Sequence, residues 1–245
     1  MQTKQLDTST FRQYKMTRLN DESYFIIMAG RKLTKDKILL KSILYKIHSI
    51  SEYLYDKKNG IHTYESLPTE YFVTNDRHEL NLYIPADRTL LRKTFKSFPY
   101  DPAEFTFIDI GCGRGRVLFE AEKQGFARVI GIELEPSLAE AARHNIELRG
   151  SSAEVAETDA AKFDFPSDDL FIFMYNPAHE AIMARIIENL KTSPAKRMFV
   201  AYMNPAHGYL LQQSGRFKEL GSIRKTVSVY PWDSFPVILF ELTDG

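Results

Sequence analysis

The stretch Asp109-Ile110-Gly111-Cys112-Gly113-Arg114-Gly115 sets three alternate glycines between a run of β-favouring residues, Phe105–Ile110, and a helical run that begins near Arg116. Glycine tolerates positive φ and leaves no Cβ in the way of a ligand. A helix N-terminus behind such a turn offers N–H groups and a partial positive charge. Taken alone, the turn suits a dinucleotide, S-adenosylmethionine (SAM) or a plain chain reversal. Three carboxylates narrow the choice. Asp109 precedes the glycines, where a cationic amino-acid ligand gains a partner and a pyrophosphate gains nothing. Glu133 ends the next strand-like run, Arg128–Glu133, where a carboxylate can accept both hydroxyls of a ribose. Asp159 follows a short third strand, Glu154–Thr158, within reach of an adenine amino group. A solvated carboxylate or a helix cap explains each acid singly; three at successive strand ends behind one glycine turn point to one ligand. A dinucleotide Gly-x-Gly-x-x-Gly would place a glycine at 116, where this chain has Arg116.

A fourth candidate group is Asn176-Pro177-Ala178-His179, which follows the apolar run Leu170–Tyr175. The same tetrapeptide recurs at 204–207, after Met198–Met203. His179 is planar, can stack, and has a pKa near neutrality, so it can serve as a base; it can equally be a helix-start residue without chemistry. His62, His78, His144 and His207 are too scattered for a zinc motif, and no metal is expected.

The elements that would position these groups alternate regularly from residue 104. Helices are expected at Arg116–Gln124, closed by Gly125, at Pro136–Arg149, closed by Gly150, and at Ala178–Leu190. The strands between them, and two closing strands at 217–229 and 236–242 around Pro231-Trp232-Asp233, complete a βα pattern. Such alternation predicts an α/β fold of three layers, with a mostly parallel sheet, helices on both faces and an antiparallel hairpin at one edge. Ligands of these sheets lie at the C-terminal ends of the strands, where all the candidate residues fall.

Upstream, residues 1–86 are expected to form a helical and loop extension, a candidate substrate cap, with the main domain at 87–245. A helix over 87–98 takes Asp87 as N-cap. Residues 38–50 show helical periodicity and are expected to cap the domain with their apolar face, leaving their lysines in solvent. Residues 56–86 read as loops, and their Tyr64, Tyr71, Phe72 and Tyr83 as candidate ligand contacts or as residues that pack the extension against the core. Twelve Lys and Arg stand against six acids in residues 1–60, a local excess that a phosphate-bearing partner would feel.

Composition bounds the rest. The 245 residues carry 32 basic and 32 acidic side chains and one cysteine, Cys112. Zero net charge gives no global attraction to nucleic acid. A lone cysteine excludes an internal disulfide and a cysteine metal cluster, and suits a reducing cytosol. No secretory signal or apolar run of about 20 residues is visible, so a cytoplasmic protein without a membrane span is expected.

These residues resemble the class I (Rossmann-like) SAM-dependent methyltransferase family. Asp109 to Gly115 match its glycine motif, Val129-Ile130-Gly131-Ile132-Glu133 its acidic loop, Thr158-Asp159-Ala160 its adenine loop, and Leu170 to Pro177 its fourth strand. Tyr55 to Thr63 are similar to a segment of bacterial members of unassigned substrate. The resemblance implies a seven-stranded, mostly parallel sheet with SAM as cofactor. It implies that Asp109, Gly111, Cys112, Gly113 and Gly115 hold the methionine moiety, Glu133 and Leu134 the ribose, and Asp159 and Ala160 the adenine. Asn176 would close the cofactor site and, with Pro177 and His179, form the catalytic group. Members that methylate exocyclic amines or amides often carry Asn-Pro-Pro-aromatic here; this chain keeps Asn176-Pro177 and departs at Ala178-His179. The implied reaction is methyl transfer to a protein or small-molecule amine, with an RNA or DNA N-methyltransferase and a catalytically inactive SAM-binding module as alternatives.

Overall fold

The computed structural model describes residues 16–18, 24–26, 47, 49–64, 83–225 and 235–243. In chain order these form β1 (Met16–Arg18) and β2 (Tyr24–Ile26), a helix α1 at 49–59, α2 (Arg88–Lys96), β3 (Phe105–Ile110), α3 (Arg116–Glu122), β4 (Arg128–Glu133), α4 (Pro136–Arg149) and β5 (Glu154–Glu157). Then follow β6 (Asp169–Tyr175), α5 (Glu180–Lys191), β7 (Met198–Met203), α6 (Gly208–Gln213), β8 (Phe217–Ile223) and β9 (Val237–Leu242). β1 and β2 make a small antiparallel pair of their own.

Seven strands form one sheet in the order β5-β4-β3-β6-β7-β9-β8. The first five are parallel, and β9 and β8 are antiparallel. This is the α/β, three-layer architecture expected of the Rossmann-like methyltransferase fold. Chain order reverses between β3, which leads to β4 and β5, and β6, which leads to β7. A crevice therefore opens at the C-terminal ends of β3 and β6.

Strand alternation sorts the core into two layers. Phe105 and Phe107 of β3 join Leu90, Leu91 and Phe95 of α2 in one apolar cluster. Ile108 and Ile110 point the other way, to Met183, Ile186, Ile187 and Leu190 of α5. By that period Asp109 shares the face of Phe105 and Phe107, towards α2 and the N-terminal segment. A knot of phenylalanines fills this layer: Phe98 meets Phe105 edge-on at 4.9 Å between centroids, and Phe171 likewise at 4.9 Å. Edge-to-face pairs of this kind add about 0.5–1.5 kcal/mol beyond burial. Asp87 caps α2 as expected, its Oδ1 accepting the Leu90 N–H.

Three expectations need correction. The helix after Asn176-Pro177 starts at Glu180, with His179 as its N-cap. The segment after Met203 contains α6, which the pattern did not show. Residues 56–59, read as loop, belong to α1. The helix expected at 38–50 lies mostly outside the described residues, but Ile47 and Ile50 are exposed, at 58% and 57%. α1 turns its acids inward instead: Glu52 and Asp56 are buried, because two arginines await them. Arg116 pairs with Glu52 and, at 3.3 Å, with Asp56; Arg88 pairs with Glu52 at 2.9 Å. Burial pushes the Glu52 carboxyl up, but the bonds from Arg88 and the charge of Arg116 outweigh it and hold Glu52 below its ordinary value. Tyr71, Phe72, His78 and the turn at 231–233 lie outside the described residues.

Candidate active site

The crevice at the switch between β3 and β6 is an open cleft, the kind of place where ligands of such sheets bind. Asp109, Gly111, Cys112, Glu133, Leu134, Asp159, Ala160, Asn176 and Pro177 all line it. Gly113, Gly115 and His179 do not. Gly115 sits behind the cleft as the N-cap of α3. His179 is exposed.

Asp109 ends β3 at 2% exposure, and its Oδ2 has no hydrogen-bond partner. Burial, and then the charge of Glu133, raise its pKa well above the ordinary carboxylate value. An unpartnered buried carboxylate is costly, which marks this oxygen as awaiting a donor. Glu133 is differently placed. Its Oε2 accepts the Gly113 N–H at 2.8 Å and its Oε1 the Glu135 N–H at 2.9 Å. It thus ties the glycine turn to the end of β4 at the lining of the cleft. Asp159 caps a short helical turn at 160–162 through the Ala161 N–H, and lies 3.4 Å from Arg185.

The turn's own N–H groups differ from expectation. Those of Gly111 and Cys112 reach the Ile132 carbonyl, that of Gly113 reaches Glu133, and that of Gly115 reaches the Cys112 carbonyl. They shape the loop rather than face the cleft. The glycines serve close approach: a Cβ on Gly111 would meet Pro177 Cβ at 3.0 Å, and one on Gly113 would meet the Tyr83 ring at 2.1 Å.

The two Asn-Pro-Ala-His copies fold alike. Asn176 and Asn204 take φ of +40° and +51°, the non-glycine residues with positive φ among the described residues, a conformation asparagine tolerates better than most side chains. Each copy ends a strand and delivers its histidine to the N-cap of α5 or α6. Tyr202, buried on β7, links them: its hydroxyl donates to Asn176 Oδ1 at 3.1 Å and takes the His207 backbone N–H. Burial lowers the His207 pKa, and the nearby His179 lowers it further, against the pull of Glu180.

Sequence reasoning passed over Ile84, Ala86, Arg116, Leu138 and Ile182, which also line the cleft. Apolar residues carry no chemical signal, and Arg116 entered only as a missing glycine. Among the described residues no group of three or more His, Cys, Asp or Glu could hold a metal ion, and no helix is long and apolar enough to cross a membrane.

Residues 107–193 match the methyltransferase domain family. Those residues therefore carry a methyltransferase domain. The ribosomal protein L11 methyltransferase of Edwardsiella ictaluri is 44% identical over 55 residues, 22% of this chain and 19% of that protein. That of Salmonella newport is 30% identical over 112 residues, 45% of this chain and 33% of that protein. The chain thus spans about a fifth to a third of the length of the curated relatives it matches. An RNA methyltransferase from Salinibacter ruber, solved with S-adenosylhomocysteine, superposes with a TM-score of 0.50 at 18% identity, covering 66% of this chain and 95% of that one. At that identity the likeness is one of fold.

SAM is the cofactor of the matched methyltransferase domain, and the cleft fits it chemically. SAM carries a sulfonium, an ammonium and a carboxylate. The cleft presents Asp109, Glu133, Glu135 and Asp159, while its one lining arginine, Arg116, is already paired with Glu52 and Asp56. An acidic cleft with an unpartnered carboxylate at its floor suits a ligand of net positive charge.

Proposed function

We propose that this methyltransferase transfers the methyl group of SAM to an amine on a protein or small molecule. In this reading Asp109 takes the SAM ammonium, Gly111 and Cys112 line the path of the methionine chain with Gly113 and Gly115 shaping the turn, Glu133 and Leu134 bind the ribose, and Asp159 and Ala160 meet the adenine. SAM supplies an activated methyl group on sulfur. The protein's part is to align the acceptor and exclude water, which contributes several kcal/mol through positioning.

The observation that carries the acceptor class is Asn176. It lines the cleft at the end of β6, its backbone is held left-handed, and its Oδ1 accepts the Tyr202 hydroxyl. In this reading the Asn176 amide, at the cleft wall, meets the acceptor amine and orients its nitrogen lone pair to the methyl. Pro177, packed on Gly111, forms the adjoining wall. An amine sheds its proton to water after transfer, so no buried base is needed, and His179, at the exposed start of α5, takes no step. The names of the curated relatives, protein methyltransferases, favour a protein acceptor.

Calorimetry with SAM, followed by incubation of cell extract with methyl-labelled SAM and this protein, tests the reading. Label in the protein or small-molecule amine fraction supports it. Label in RNA or DNA replaces the acceptor. SAM binding without transfer to any fraction leaves a cofactor-binding module, and failure to bind SAM at high micromolar concentration sinks the whole reading.

A further inference from the structure

Methyl transfer as read above uses the first Asn-Pro-Ala-His turn and leaves the second without a task. β6 and β7 run parallel, with Met174 opposite Tyr202 and Tyr175 opposite Met203. The copies at 176–179 and 204–207 therefore start side by side, in register, on adjacent strand ends. Both open on an asparagine with positive φ, a strain that persists where the surroundings impose it and that clusters at functional sites. The second turn is tight and tied down. The Asn204 N–H donates to the Pro236 carbonyl at 3.0 Å, the Ala206 N–H to the Asn204 carbonyl at 2.7 Å, and the Gly208 N–H to the Pro205 carbonyl at 3.1 Å. This bend returns the His207 N–H to the hydroxyl of Tyr202, on the strand it has just left. The same hydroxyl donates to Asn176 Oδ1 at 3.1 Å.

This chain of bonds has one polarity. A backbone N–H only donates, so the Tyr202 oxygen accepts from His207 and passes its single proton onward. Of the two ends of the Asn176 amide, only Oδ1 can take that proton. Turned over, the amide would set its own N–H against the Tyr202 proton. Tyr202 is fully buried, so no water repairs such a mismatch, and an unmade buried bond is costly. Burial also raises the Tyr202 pKa, so the hydroxyl keeps the proton it gives. We infer that the second Asn-Pro-Ala-His turn is a positioning device: through the Tyr202 hydroxyl it fixes which way round the Asn176 amide stands in the cleft wall. The inference rests on the reading in which Asn176 meets the acceptor amine. Neither Tyr202 nor Asn204 lines the cleft; both are positioning residues, Asn204 by bending the chain so that the His207 N–H reaches Tyr202.

A double-mutant cycle tests the relay. Methyl-labelled SAM with cell extract reports transfer, and calorimetry with S-adenosylhomocysteine reports the cofactor site. The branched side chain of Asn204→Val resists positive φ. That variant is expected to slow transfer about two- to twelvefold, the contribution of one neutral hydrogen bond, and to leave S-adenosylhomocysteine affinity within about twofold. On a Tyr202→Phe background it should slow transfer no further, because the relay is already cut. Asn204→Gly, which takes positive φ freely, should recover most of the lost rate, and Asn204→Ala carries the cycle if the valine variant melts early. Additive slowing, unchanged transfer in Asn204→Val, or a matching loss of S-adenosylhomocysteine affinity would each overturn the inference. So would an Asn176 side-chain amide signal, followed by NMR in isotope-labelled protein, that stays in place in both Tyr202→Phe and Asn204→Val. That signal needs no acceptor: a wild type without transfer to any fraction refutes the amine reading, and the amide signal still decides the relay.

Discussion

Replacing Asp109 by Asn should weaken cofactor binding and stabilise the protein that lacks cofactor. The carboxylate is 2% exposed, its Oδ2 has no partner, and burial together with Glu133 raises its pKa. A charge-assisted bond from the SAM ammonium contributes about 1.5–3 kcal/mol. Its loss corresponds to roughly ten- to 150-fold weaker binding, at about 1.36 kcal/mol per decade. Without ligand the sign reverses. An acid whose folded pKa lies above its unfolded value of about 3.9 favours folding below that value and loses that contribution as pH rises through the folded pKa. The Asn variant therefore gains on the wild type as pH rises, and near neutrality should melt higher. If the unsatisfied group costs about 1–3 kcal/mol, the gain is on the order of 2–10 °C for a chain of this size. Thermal melts with and without S-adenosylhomocysteine at acid and neutral pH read both effects. A variant that melts lower at neutral pH, or one that binds S-adenosylhomocysteine as the wild type does, would refute the assignment of Asp109 as a strained ligand group.

Other substitutions probe the supporting shell. Glu133→Ala should weaken SAM binding and also lower the melting temperature, since it removes the acceptor of the Gly113 and Glu135 N–H groups; unchanged affinity would end its ribose role. Arg116→Met leaves Asp56 buried without its arginine and Glu52 with Arg88 alone, a loss of about 3–5 kcal/mol read by urea unfolding, which Asp56→Asn on the same background should largely restore. Tyr202→Phe frees Asn176 Oδ1 and should slow methyl transfer about two- to twelvefold, one neutral hydrogen bond, with SAM affinity unchanged. The depressed pKa of His207 contributes stability above its unfolded value of about 6.5 that is lost as pH falls through the folded value; His207→Asn should flatten that acid limb in melts between neutral and mildly acid pH.

Much of the architecture is local and was legible. β3, β4, α4 and β7 begin and end where apolar runs, Pro136 and Gly150 place them, because propensity, capping and burial agree there. α6 was hidden since it is six residues long and opens on Gly208, a residue that reads as a break; Gly208 is there because Pro205 would crowd a Cβ at 3.2 Å. The inward acids of α1 could not be read from their own segment. A buried Glu52 makes sense only once Arg88 and Arg116 arrive from 36 and 64 residues away. The candidate site divides in the same way. Asp109, Glu133 and Asp159 announce themselves by type and by their place at or near strand ends, whereas the Tyr83 ring reaches Gly113 only through contacts far along the chain.

The insertion of β9 between β7 and β8 has a bearing on how this protein is made. β8 leaves the ribosome before β9, yet it has no partner in the sheet until β9 arrives. During that interval the edge of β7, a strand buried along its whole length in the finished protein, is open to any neighbouring chain. Open strand edges are templates for mispairing. Synthesis that stalls before residues 237–242 would therefore release a molecule whose cleft residues are all present but whose sheet is unsealed, and its fate would be decided by chaperones before it met any cofactor.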